Sequence, residues 1–148
     1  MSVSTNAILF YGYCWDDEAE HPWPDGEGEV LDEDEDDNWE DRYARARGCL
    51  PPDAEASARE HKKYETAKKK LVAASRCRVD THCMTSCPMP YVAVEASVTI
   101  SHRGYPSTVT SIDVDPTWDE ALTEFCKTLG IKVGKKKPSW WLVSDWSE

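Results

Sequence analysis

Lysine and arginine are absent from residues 1–41 of this 148-residue chain, although 15 Asp and Glu residues fall between Asp16 and Asp41. A surface without those cations cannot neutralise phosphates, which excludes the stretch as a direct nucleic-acid contact. No apolar run approaches the ~18–20 residues that a membrane-spanning helix requires. The net charge of −11 also disfavours adsorption to anionic lipid. Nothing basic precedes the short apolar run Ala7–Phe10, so the pattern predicts no secretion signal and a cytoplasmic location. There the six cysteines (14, 49, 77, 83, 87 and 126) are expected as reduced thiols or metal ligands rather than disulfides. No internal repeat, no C-x-x-C pair and no complete catalytic or cofactor signature stands in the chain.

What is present is a segregation of charge. The 17 basic and 13 acidic residues of 42–148 leave that part at +4, so the negative charge arises wholly in the first 41 residues. The length predicts one domain, 1–148, with an acidic loop or insertion at about 16–38. Seven Trp supply core residues and leave candidates for interface anchors.

Along the chain, Ala7–Trp15 reads as a strand, with Gly12 a candidate bulge. Asn38 is placed to cap a short helix, Trp39–Arg47, that Gly48 closes, with acids at its start and arginines at its end. A second helix is expected from about Asp53 to Ser75, with Tyr64, Ala67, Leu71 and Ala74 as its inner face and Lys62–Lys70 supplying basic outer faces. The segment Cys77–Pro90 reads as mostly irregular, with a short strand at Arg78–Thr81. Tyr91–His102 alternates as a half-buried strand, and a turn at Arg103–Pro106 leads to a partner strand near Thr108–Val114. Asp115 and Pro116 open a helix whose buried stripe is Leu122, Phe125, Cys126 and Leu129. Ser139–Asp145 completes the set as a strand. The order predicts an α+β fold: a mainly antiparallel sheet of about four strands with two to three helices packed on one face.

Two clusters carry chemistry. Asp32, Glu33, Asp34, Glu35, Asp36 and Asp37 form the densest charge. Such a run is commonly a solvated loop. It is also suited to occupying the Lys and Arg sites of a nucleic-acid groove, with Trp15, Trp23 or Trp39 as apolar anchor. As a calcium loop it fails, because Asp37 stands where the turn needs Gly and Tyr43 where a bidentate Glu belongs. The basic second helix and Lys132–Lys137 offer a further destination for the acids within the chain itself.

The second cluster, Cys77, His82, Cys83 and Cys87, has enough soft ligands for zinc or another divalent ion but poor spacing. No cofactor is expected. Buried structural thiols are the plainer reading. As an enzyme, Cys83 or Cys87 would be the nucleophile with His82 or His102 as base.

Tyr11–Trp15, Cys87–Val92 and Trp140–Trp146 resemble segments of small uncharacterised proteins encoded by tailed bacteriophages. The resemblance implies an accessory protein acting in the cytoplasm of an infected host, of a kind that often binds and blocks a host enzyme. Charge and resemblance together point to an acidic inhibitor with an anti-defence or host-takeover role. It would occlude a basic, nucleic-acid-handling host protein through Asp32–Asp37 and Trp39. A small metal- or thiol-dependent enzyme acting on a nucleotide or phosphorylated substrate is the alternative, and a structural virion component is another.

Overall fold

A computed structural model of the protein describes residues 4–15, 38–84 and 86–147. The described residues form five strands and three α-helices, an α+β fold with a mostly antiparallel sheet. The strands are β1 (Ser4–Cys14), β2 (Cys77–Met84), β3 (Cys87–Val94), β4 (Thr99–His102) and β5 (Ser139–Ser147). The helices are α1 (Trp39–Ala46), α2 (Ala58–Ser75) and α3 (Trp118–Leu129).

β1 is the centre of the fold. It pairs antiparallel with β5 from Ser4–Ser147 to Gly12–Ser139, and its other edge meets β4 and then β3. β3 pairs with β2, and β2 returns to β5 in parallel through Cys83–Asp145 and Met84–Trp146. Strands β1, β3, β2 and β5 therefore close into a ring, with β4 extending the sheet beyond β1.

The alternation of side chains along a strand divides the interior in two. Tyr11, Tyr13 and Trp15 of β1, with Val92, Val94, Cys77 and Val79, face the helices and pack on Tyr43, Leu122, Phe125 and Leu129. Ile8, Phe10 and Cys14, with Tyr91 and Ala93, face the side that the ring encloses. Phe10 stacks on Tyr91 there, with ring centroids 4.3 Å apart. Gly12 sits in regular register between β3 and β5 rather than at a bulge. A Cβ at this position would fall on the carbonyl oxygen of Val92, so only glycine permits the close approach.

The caps follow local chemistry. Asn38 accepts the Asp41 N–H at 3.0 Å, as the sequence predicts. Helix α2 begins later than expected, at Ala58, because Ser57 and Glu60 form a reciprocal capping box. Its inner face also differs: Ala67 and Ala74 are exposed, whereas Lys68 is buried. Asp115 accepts the backbone N–H and hydroxyl of Thr117 at 2.8 and 2.6 Å, and regular helix starts at Trp118.

Two strand expectations are corrected. Cys77–Met84 is a full strand rather than an irregular segment with a short one inside it. The continuous strand Tyr91–His102 is interrupted by a 3-10 turn at Glu95–Ser97, which shifts the alternation. That interruption also removes the expected strand Thr108–Val114. His102 and Tyr105 form an isolated antiparallel bridge, and Ser107 donates to the Ile100 carbonyl at 2.7 Å. Extending that register would set Thr110–Ile112 opposite Ser97–Glu95, where a 3-10 turn presents no ladder edge.

Candidate interaction surface

The run Asp32–Asp37 lies outside the described residues, and so does Trp23. What is described are the two ends of the acid-rich stretch. Trp15 is buried at the end of β1, in the helix-facing core. Trp39 is half-buried against that same core, edge-on to Phe125 with centroids 5.6 Å apart. Both tryptophans bracketing residues 16–38 are thus held by one body, and Trp39 keeps part of its surface open to solvent.

One acid of the stretch points inward. Asp41 accepts from Tyr64 at 2.7 Å and from Lys68 at 2.8 Å, and Lys68 also reaches Glu65 at 3.0 Å. The Lys68 and Asp41 side chains are 8% and 15% exposed, so the pair is largely withdrawn from solvent screening. Burial alone would raise the Asp41 pKa, but the bonds from Lys68 and Tyr64 outweigh it and hold the carboxyl below its ordinary value. For Lys68, burial works against the charge, and the bonds to Asp41 and Glu65 overcome it and raise the pKa. The Tyr64 phenol is pushed up to about 12 by burial and by its bond to Asp41.

The cysteine cluster is not brought together. Cys77 and Cys83 lie at opposite ends of β2, six residues or roughly 20 Å apart at the usual rise of a strand. Cys77 instead faces Cys126 in the helix-facing core, and burial pushes both thiols up to about 12. Among the described residues no three His, Cys, Asp or Glu side chains gather as a metal site. His82 turns to the enclosed face, where its Nε2 lies 3.3 Å from the sulfur of Cys14, a partner that sequence distance concealed. Both are buried, and the neighbouring Cys83 takes a φ of 85°, in the left-handed region. His102 bonds to Asn6 at 2.9 Å, far along the sheet from Cys83 and Cys87.

A cleft of about 590 Å³ opens between α1, α2 and β2, lined by Trp39, Lys69, Arg76 and Arg78 together with Asp80 and Glu95. Arg78 reaches Glu95 at 3.4 Å and Asp80 at 4.0 Å, while its Nε is buried and, among the described residues, has no hydrogen-bond partner. Opposite charges alternate around this cleft, so it has no single sign to select a ligand.

The surface that sequence reasoning missed is residues 102–117, every one of which is exposed. Tyr105, Val109, Ile112 and Val114 present apolar side chains to solvent, and Ile112 is 63% exposed. Among the described residues, 108–114 make no backbone–backbone hydrogen bond beyond their own neighbours. Residues 104–126 also contain five acids and no Lys or Arg. That second one-signed stretch was the available signal, overshadowed by the denser run upstream.

Searches against protein families, curated proteins and solved structures find no match to this chain. Among the described residues no helix is long and apolar enough to cross a membrane.

Proposed function

We propose that the chain is a phage-type accessory binding protein: an acidic inhibitor that occludes a basic, nucleic-acid-handling protein of the infected host. One observation carries the reading. The residues that bracket the acidic stretch, Trp15 and Trp39, are held in one core, so 13 carboxylates between them are tethered at both ends to a folded body. Tethering limits the entropy lost when a charged segment is ordered on a partner. Charge of one sign on a fixed support steers association with basic surfaces and weakens as ions screen it. Asp32–Asp37 supply the charge in this reading, with half-buried Trp39 as a nearby anchor and the exposed side chains of 105–114 as further apolar contacts.

Affinity capture from host lysate at low and high salt tests it. The wild-type chain should retain a basic partner that is released as salt rises. A variant with Asp32–Asp37 changed to Asn and Gln should lose most of it. Unchanged capture by that variant would refute the proposal.

The contact between Cys14 and His82 favours a second reading, a thiol-dependent enzyme with Cys14 as nucleophile and His82 as base. Cys14→Ser separates the two readings. Host-partner capture should survive it under the first, whereas turnover of a phosphorylated or nucleotide substrate should vanish under the second.

A further inference from the structure

The segment Thr108–Val114 has the composition of a strand and, among the described residues, no strand beside it. Thr108, Thr110, Ile112 and Val114 alternate with Val109, Ser111 and Asp113, and this β-branched enrichment is what sheets favour. With the 3-10 turn at Glu95–Ser97, no strand among the described residues of its own chain pairs with it. Both ends are nonetheless fixed. Ser107 bonds to Ile100, and Thr117 is held by Asp115 and by Arg76 at 2.8 Å.

One edge of the segment is already engaged, since Ser111 Oγ accepts the Asp113 N–H at 3.0 Å. In strand geometry, amides alternate between the two edges. The amides of Thr108, Thr110, Ile112 and Val114 would then share the other edge. Main-chain groups so presented are the basis of strand addition, in which a partner segment pairs with an open strand and alternate side chains give specificity.

We infer that Thr108–Val114 is a docking strand for an extended partner segment that alternates apolar and basic residues. Charge complementarity selects this occupant. No Lys or Arg occurs from Gly104 to Cys126, and Asp113 and Asp115, within the segment and just after it, are exposed. The partner's apolar residues would cover Ile112 and Val114, and its Lys or Arg residues would meet those acids. The inference rests on the proposed binding function and assigns part of the contact to a site separate from Asp32–Asp37.

The test uses the full chain and two fluorescein-labelled heptapeptides, one alternating Lys and Val and the other alternating Glu and Val. Anisotropy should report binding of the Lys/Val peptide, weakening with salt, and far weaker binding of the Glu/Val peptide. Amide hydrogen exchange should slow at Thr108, Thr110, Ile112 and Val114. Thr110→Pro deletes one of those donors and should weaken binding by about tenfold or more. Ile112→Ser, which keeps the backbone intact, should also weaken it, so a folding defect in the proline variant leaves the inference testable.

Equal affinity for both peptides, no binding, or protection confined to other residues would overturn it. So would protection that grows with protein concentration alone, because a second copy would then be the occupant. Both variants leave Asp32–Asp37 intact. A partner kept by Thr110→Pro and lost on neutralising those acids would therefore sink the docking strand and spare the acidic reading.

Discussion

At the scale of single residues, the Asp41–Lys68–Tyr64 group joins α1 to α2 through charge largely withdrawn from solvent. Removing one partner of a withdrawn pair leaves the other uncompensated, which costs more than the intact pair contributes. Lys68→Met should therefore lower stability by about 1–3 kcal/mol in urea titration at neutral pH. The carboxyl is held below its ordinary value of 3.8, so its contribution is complete above that pH and disappears as pH falls through the lower folded value. Acid titration of the wild type should thus lose stability more steeply below pH 3.8 than Lys68→Met does. The Tyr64 phenol titrates the other way: its part is complete below pH 10.0 and is lost as pH rises towards about 12. Gly12 is constrained by space rather than charge. Gly12→Ala forces β1 off the Val92 carbonyl and should cost about 3 kcal/mol or more by the same titration.

At the scale of elements, the break between β3 and β4 is pinned from inside by Ser97. The hydroxyl of buried Ser97 donates to Val94 O at 2.6 Å and accepts the Tyr11 N–H at 2.9 Å, so the 3-10 turn completes the hydrogen bonding of β1. Ser97→Ala leaves that amide buried and unpaired, and thermal or urea unfolding should register a loss of about 1–3 kcal/mol. The same turn explains where sequence reading stops. Val92, Val94, Ala96, Val98 and Ile100 alternate as one continuous strand would, and no turn residue announces the change at Glu95. The interruption is dictated by the demand of Tyr11, 86 residues away. Local signals served well where the determinant was local, as with Asn38 before α1 and the stripe Leu122, Phe125, Cys126 and Leu129. On α2, Lys68 reads as an outer position because its partner Asp41 is 27 residues upstream. The Cys14–His82 contact, 68 residues apart, was hidden for the same reason. The apolar side chains of the docking segment were visible in the sequence, but an assumed strand partner concealed their exposure.

At the scale of the whole molecule, Trp15 and Trp39 belong to one core with all three helices and the four strands of the ring. Tryptophan fluorescence and far-ultraviolet circular dichroism should therefore report one transition with coincident midpoints. Two separated midpoints would mean that the helical layer melts apart from the sheet. The ring itself bears on how the chain comes into being. β1 finds its longest partner in β5, with Ser4 paired to Ser147, and β2 is also closed by β5. During synthesis at about 5–20 residues per second, β1 emerges many seconds before its mate and waits with one side unpaired. An unfinished chain thus carries an open strand that the finished one hides, and a ribosome stalled before Ser139 would release a sticky product.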